Sequence, residues 1–155
     1  LRACKEEGIN TAVESTGFAP YGQIEKCLPY IDTYLMDIKH TNSEKHKLFT
    51  TQPNELILEN AKKIARDAKR LVIRVPVIPT FNDTVEEISG IAAFAKSLGT
   101  VTDIHLLPYH KYGTDKYAGL GREYTLPDIV TPSEEHMKML QSAAAAYGLN
   151  CRIGG

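Results

Sequence analysis

The chain has 155 residues, of which 43% are hydrophobic and 24% are charged, and its formal net charge at pH 7 is -1. This composition is typical of one soluble globular domain with a buried core, and it excludes a chain that is disordered throughout. The near-neutral charge offers no electrostatic attraction for nucleic acid, and no apolar run approaches the roughly 20 residues that span a bilayer, so we expect neither partner.

The first residues predict the end of a helix. Residues 1–7 resemble its last turns, which Gly8 closes, and the given sequence leaves no room for the strand that we expect before this helix. We therefore expect a piece of a longer protein, from which any signal peptide would have been removed. Cys4, Cys27 and Cys151 are odd in number and form no C-x-x-C pair. This pattern fits a reducing cytoplasm better than a disulfide framework.

The next part of the chain alternates strands and helices. Residues 9–16 predict a short buried strand that ends in polar side chains. A helix over residues 21–28 should stop near Pro29. The second strand covers residues 34–39, and Ser43 begins one or two helical turns.

Asn54 is predicted to cap a stronger helix, which is followed by a third strand. The apolar residues of this helix recur at about 3.6-residue spacing and are Leu56, Ile57, Ala61, Ile64, Ala65 and Ala68. Residues 71–79 are the longest β-branched run and should form the strand. Arg74 is the one charge in that run, so it must find a partner or reach a cleft.

A turn over residues 80–83 precedes a helix to about Leu98, because Thr84 and Glu87 have the spacing of a capping box. Its buried stripe should consist of Val85, Ile88, Ile91, Ala92, Ala95 and Leu98. Residues 101–110 contain a fourth strand, whose pairing should stop at Pro108, so that His110 lies just beyond its end.

Residues 111–130 lack periodicity and predict a long ordered loop over the strand ends. Thr131 and Glu134 form a capping box with Pro132 in the first helical position. That last helix should continue through Met137, Leu140, Ala144 and Tyr147. Residues 151–155 form a tail with strand character at 151–153.

Four strands with helical connections predict the α/β class. The sheet should be parallel with right-handed crossovers, either open or part of a barrel, within one domain.

Polar side chains from the four strands stand at or near the carboxyl ends, or point to that side, so they can converge on one site. These residues are Glu14, Ser15, Asp37, Lys39, Arg74 and His110.

Each of these residues also has a purely structural interpretation. Asp37 and Lys39 can pair with neighbours at the sheet rim, and Arg74 can tether Glu14 or Asp37. A single histidine such as His110 is more often structural than catalytic, and residues 14–16 can be turn chemistry. The histidines show no metal-ligand spacing, so we expect no metal site. No glycine-rich phosphate loop is found in the sequence.

In succession, E-S-T-G-F, Y-L-M-D-I-K-H, L-V-I-R-V-P-V-I-P-T-F-N-D and L-L-P-Y-H-K-Y-G-T-D-K-Y closely resemble the glycyl-radical-enzyme activating enzymes of the radical S-adenosylmethionine superfamily. The resemblance covers nearly the whole chain. It implies a partial (β/α)6 TIM-like barrel that binds S-adenosylmethionine beside a [4Fe-4S] cluster. It also implies that a 5'-deoxyadenosyl radical is formed and that the protein substrate is a glycyl radical enzyme. An electron donor such as flavodoxin or ferredoxin and a location in the cytoplasm are implied as well.

The resemblance also implies roles for single residues. Asp37, Ile38 and Lys39 match the D-x-K motif that contacts S-adenosylmethionine in the family. His110 matches the histidine of L-L-P-Y-H, and Arg74 matches an arginine that faces the cofactor.

Glu14 and Ser15 match an acidic residue and a hydroxyl near the methionyl end and a monovalent cation. The family more often has aspartate than glutamate at the first of these positions, which leaves the cation site open.

Two family motifs are not found in the sequence, namely the C-x-x-x-C-x-x-C cluster loop and the G-G-E-P-like turn. The four strands therefore match the family's third to sixth strands, followed by its C-terminal helix. The three cysteines cannot replace the loop, because three thiolates must converge within one short segment. We expect the isolated chain to assemble no cluster and to be inactive.

Two other functions stay open at this stage. One is a (β/α)-barrel lyase or decarboxylase with Lys39 as a Schiff-base or electrostatic lysine and His110 as general acid or base. The other is a non-catalytic domain that docks a protein through residues 111–130.

Overall fold

The structure is a computed structural model that describes residues 1–110, 114–123 and 129–155, without the side chains of 114–116. Its centre is a five-stranded sheet in the order β1-β2-β3-β4-β5. The strands are β1 (Ala12–Ser15), β2 (Thr33–Asp37), β3 (Leu71–Val77), β4 (Asp103–Pro108) and β5 (Asn150–Ile153). All neighbouring pairs are parallel. The predicted α/β class is thus confirmed, and the tail adds a fifth strand to the expected four.

Helices connect these strands as the alternating pattern predicts. They are α1 (Arg2–Glu6), α2 (Tyr21–Glu25), α3 (Ser43–Thr50), α4 (Glu55–Asp67), α5 (Val85–Ser97), α6 (Thr114–Gly119) and α7 (Glu134–Ala145). A 3-10 turn covers Leu28–Tyr30. No helix in the described ranges has the length and apolarity needed to cross a bilayer.

The core lies between one face of the sheet and the helices. Every second residue of β3 belongs to this core, namely Leu71, Ile73, Val75 and Val77. The same buried cluster includes Ile64 of α4, Ile91 of α5 and Leu140 of α7. Side chains alternate along a strand, so the residues between them belong to the opposite face. That opposite face carries Arg74 and the site described below.

The first strand differs from its prediction. Ala12 and Glu14 are exposed, and Val13 and Ser15 are only half-buried. The reason is position, because β1 stands at the edge of the described sheet and pairs with β2 alone. A strand at an edge is covered less completely than one with neighbours on both sides.

The helical stripes are mostly as predicted, with errors at the ends of helices. Leu56, Val85 and Tyr147 are 37%, 43% and 38% exposed. Leu56 and Val85 occupy the first turns of α4 and α5, and Tyr147 follows the end of α7, so none of them faces the core. Asn60 of α4 is fully buried instead, where its side-chain amide donates to Gly17 O and Ala19 O.

The N-cap residue of α5 is the predicted one, whereas the caps of α7 and α4 differ from their predictions. The Thr84 hydroxyl accepts from Glu87 N at 3.2 Å, which confirms Thr84 as the N-cap of α5. The cap of α7 is Ser133, which accepts from His136 N at 3.2 Å, so the box that begins at Thr131 is wrong by two residues. Asn54 takes the N-cap position of α4 but makes no side-chain cap bond.

The predicted loop over residues 111–130 is wrong in part, because α6 (Thr114–Gly119) lies inside it. Residues 111–113 and 124–128 of that prediction lie outside the described residues.

Candidate functional site

Four of the predicted site residues form one chain of charges across the first three strands, in which Arg74 lies in the middle of β3. The Arg74 guanidinium pairs with Glu14 on one side. On the other side its Nε lies 3.8 Å from Asp37 Oδ1. Lys39 Nζ then donates to Asp37 Oδ2 at 3.1 Å. The order is Glu14, Arg74, Asp37, Lys39, with alternating sign of charge.

Strand register explains this arrangement. Asp37 of β2 stands beside Arg74 of β3. Glu14 of β1 stands beside Leu35, which lies two residues before Asp37 on the same face. Because side chains repeat every second residue along a strand, all three charges fall on the face opposite the helical core.

Arg74 is the most enclosed member of the chain. Its side chain is 16% exposed, whereas that of Glu14 is 66% exposed. The Arg74 Nε atom is buried, and no hydrogen-bond acceptor contacts it within the described residues. A separation of 3.8 Å from Asp37 gives Coulomb attraction but no hydrogen bond. A buried N–H without an acceptor is costly, so Arg74 Nε is a donor that the described residues leave unsatisfied.

Two clefts flank this chain of charges. The first has a volume of about 440 Å³, and its lining includes Glu14, Arg74, His105 and His110. The second has a volume of about 200 Å³, and its lining includes Thr16, Phe18, Asp37, Lys39 and His46. The structure therefore divides the single predicted site into two compartments, with the Arg74–Asp37 pair between them.

His105 belongs to the first cleft, although the sequence suggested only a mid-strand position. It stands beside Arg74 on β3 and Arg152 on β5. Burial lowers the pKa of His105, and the positive charge of Arg152 lowers it further. The signal that would have identified it is strand alternation, because the register puts it on the face of Arg74.

Two predicted residues do not bring their side chains into either cleft. Ser15 stands beside the buried Met36, and its hydroxyl accepts from Gly17 N at 3.0 Å. Ile38 is 1% exposed and belongs to the core. Its backbone N donates to Arg74 O at 2.9 Å. Ile38 therefore contributes backbone structure, and the cofactor roles of both residues stay predictions.

The buried histidines near the site are held by local hydrogen bonds. His40 Nδ1 accepts from Asn42 N at 2.9 Å, and its Nε2 lies 3.3 Å from Glu87 Oε1. His46 Nδ1 lies 2.7 Å from Gln52 O.

The described part of the chain contains no group of three or more His, Cys, Asp or Glu residues that would suit a metal ion. All three cysteines are free. Burial raises the pKa of the Cys151 thiol to about 11.

Comparison with known proteins identifies close relatives. The chain is 40% identical to an indoleacetate decarboxylase activating enzyme of Tractidigestivibacter scatoligenes, over 99% of its own length and 49% of that protein. It is 32% identical to a (2S)-3-sulfopropanediol dehydratase activating enzyme of Klebsiella oxytoca, over 99% of its own length and 50% of that protein. The chain thus spans about half the length of these curated relatives. No protein-family model matches it.

A solved structure matches more completely. The crystal structure of a domain of pyruvate-formate lyase-activating enzyme from Bacteroides vulgatus ATCC 8482 is 31% identical and superposes with a TM-score of 0.80. The match covers 99% of the present chain and 86% of that one.

Proposed function

The chain belongs to the glycyl-radical-enzyme activating enzymes of the radical S-adenosylmethionine superfamily, and from this membership we propose that it is the C-terminal part of an activase that installs a glycyl radical on a partner enzyme. Residues 1–155 form a single partial-barrel domain in this proposal. The observation that carries this proposal is the chain of charges between the two clefts, formed by Glu14, Arg74, Asp37 and Lys39.

S-Adenosylmethionine fits the charges of this site. The molecule combines a carboxylate with an ammonium and a sulfonium group. The buried Nε of Arg74 has no acceptor in the described residues and suits an anionic oxygen. The carboxylates of Glu14 and Asp37 suit the two cationic groups. The first cleft, at about 440 Å³, also falls within the ~300–1,000 Å³ that ligand pockets occupy.

We assign the positioning of S-adenosylmethionine to this chain. Asp37, Lys39, Arg74, His110 and Glu14 would hold it, with Ser15 and Ile38 contributing through the backbone of their strands. Arg74 is held on both sides by carboxylates, so its guanidinium is fixed before a ligand enters. Such preorganisation reduces the entropy lost on binding.

The described residues do not fit an iron–sulfur cluster, because no group of three suitable side chains is present among them. We propose that the cluster is held by residues outside this chain. S-Adenosylmethionine would supply the radical chemistry of the complete site, and the residues of this chain would position it.

The partners follow from the same proposal. The protein substrate is a glycyl radical enzyme, and the electron comes from a small donor such as flavodoxin or ferredoxin. The compartment is the cytoplasm, consistent with three free cysteines.

The test is an anaerobic activation assay with the longer activase and a glycyl radical enzyme. We expect Asp37→Asn and Lys39→Ala each to reduce glycyl-radical formation, measured by electron paramagnetic resonance, by at least about tenfold. Lys63→Ala is the matched control, because Lys63 pairs with Glu59 on the surface of α4.

Three results would contradict the proposal. They are full activity after Lys39→Ala, iron and sulfide bound stoichiometrically by the 155-residue chain alone, and trapping of a carbonyl substrate on Lys39 by borohydride. The last result would favour the lyase instead.

A further inference from the structure

We propose that Asn82 is a positioning residue for Lys39. It holds the backbone that follows β2, and through that backbone it sets where the Lys39 ammonium stands. The inference rests on the proposed function for its consequence in cofactor binding. Its structural part is independent of that function.

Asn82 uses all of its side-chain hydrogen-bonding groups inside the protein. It is fully buried. Its Nδ2 donates to Lys39 O at 2.7 Å and to Pro76 O at 2.8 Å. Its Oδ1 accepts from Ile78 N at 2.8 Å. One amide thus ties the end of β2 to the end of β3.

The turn that carries Asn82 adopts a conformation that its sequence disfavours. Thr80 has φ 71°, and a β-branched residue rarely occupies this left-handed region. The turn is held by Thr80 N donating to Asp83 Oδ1 at 3.0 Å and Phe81 N donating to Ile78 O at 3.1 Å. Backbone strain is retained where the surroundings enforce it, and here the strained turn presents the Asn82 amide to Lys39 O.

Lys39 needs such support because the strand ends before it. β2 closes at Asp37, and Ile38 N makes the last sheet bond, to Arg74 O at 2.9 Å. Beyond that point the side chains of two asparagines bind the backbone. Asn82 holds the Lys39 carbonyl, and Asn54 Nδ2 donates to His40 O at 2.6 Å.

A third buried asparagine provides a matched control. Asn60 is fully buried, and its Nδ2 donates to Gly17 O at 2.7 Å and Ala19 O at 2.8 Å. It therefore holds the loop after β1 with the same number of amide–carbonyl bonds. Asn60→Asp and Asn82→Asp each remove two such bonds. Neither of the two bonds of Asn60 involves Lys39, however.

The first experiment is a double-mutant cycle in the longer activase, with S-adenosylhomocysteine as the probe. We expect Asn82→Asp to weaken binding by about tenfold, and by less than about twofold when Lys39→Ala is already present. Asn60→Asp should have the same effect with and without Lys39→Ala. Equal losses for Asn82→Asp in both backgrounds would overturn the proposal. If Asn82→Asp fails to fold, Asn82→Ser, which keeps a hydroxyl donor, enters the same cycle.

The second experiment needs no cofactor. The sequence contains two Lys-His pairs, Lys39–His40 and Lys45–His46. Labelling with ¹³C-carbonyl lysine and ¹⁵N histidine therefore gives two peptide signals in the 155-residue chain. Asn82→Asp should shift the Lys39 carbonyl signal and leave that of Lys45 unchanged, whereas Asn60→Asp should leave both.

An unshifted Lys39 signal in a folded Asn82 variant overturns the positioning role. If the wild-type activase does not bind the probe while this shift occurs, the proposed cofactor site fails and the contact with Lys39 stands.

Discussion

Arg74 Nε lies 3.8 Å from Asp37 Oδ1, so the two charges attract each other without a hydrogen bond between them. The nitrogen is buried and meets no acceptor within the described residues. We take this pair as the point where a ligand oxygen inserts. Arg74 would then donate its unsatisfied N–H to that oxygen in a hydrogen bond assisted by charge.

Arg74→Met should therefore weaken binding of S-adenosylhomocysteine by the longer activase. A hydrogen bond to a charged group contributes ~1.5–3 kcal/mol, which corresponds to roughly 10- to 160-fold in affinity. Isothermal titration calorimetry measures the change, and Arg66→Met on the surface of α4 is the control. Unchanged affinity after Arg74→Met would remove Arg74 from the site.

The sequence predicted most of this site because charge at a strand end is visible without a structure. Asp37, Lys39, Arg74 and Glu14 were identified by their place on strands, and the fold brings them together. Their pairing order could not be predicted, because it depends on the register of three strands.

The buried asparagines mark the limit of sequence reasoning. Asn60 lies on the buried face of a helix, and a periodicity argument expects an apolar residue there. Asn82 stands in a turn that any polar residue suits. Their partners are carbonyl groups far along the chain, at Gly17 and Lys39. Long-range contacts of this kind leave no local pattern in the sequence.

Gly17→Ala should destabilise the fold more than Gly8→Ala. Both glycines have positive φ, +69° and +70°, so an alanine pays the same backbone strain at each. At Gly17 an added Cβ would also stand 2.6 Å from Met36 Cε, whereas at Gly8 it meets nothing within 4 Å. We expect an additional loss of about 1–3 kcal/mol at Gly17, measured by urea unfolding.

Equal losses for the two variants would show that the end of the Met36 side chain moves aside without cost. The matched φ angles remove backbone strain from this comparison.

The carboxylate of Asp32 should make the free energy of unfolding depend on pH. Its carboxylate accepts from Lys5 Nζ at 2.5 Å, Lys69 Nζ at 2.8 Å and Thr11 N at 3.0 Å. These bonds, with Lys5 first, hold the pKa of Asp32 well below its usual range. Because the pKa is depressed in the folded state, the stabilisation is present above the ordinary value of ~3.9 and is lost as the pH falls below it.

Asp32→Asn should lower Tm at pH 7 and flatten its decline below about pH 4. Thermal unfolding between pH 2 and pH 7 measures both effects. Glu134→Gln is the control, since the Glu134 side chain is 94% exposed. Parallel Tm curves for wild type and Asp32→Asn would contradict the assignment.

His105 gives the last prediction, because two causes that lower its pKa can be separated. Burial is the larger cause and the Arg152 charge is the next. Arg152→Gln should therefore raise the pKa of His105 while leaving it below the ordinary ~6.5, as followed by NMR of the ring Cε1 proton. Because the folded pKa is depressed, the stability contribution is complete above pH ~6.5 and is lost as the pH falls, more weakly in the variant. Arg66→Gln is the control, and a return of the His105 pKa to its ordinary value would show that charge outweighs burial in the first cleft.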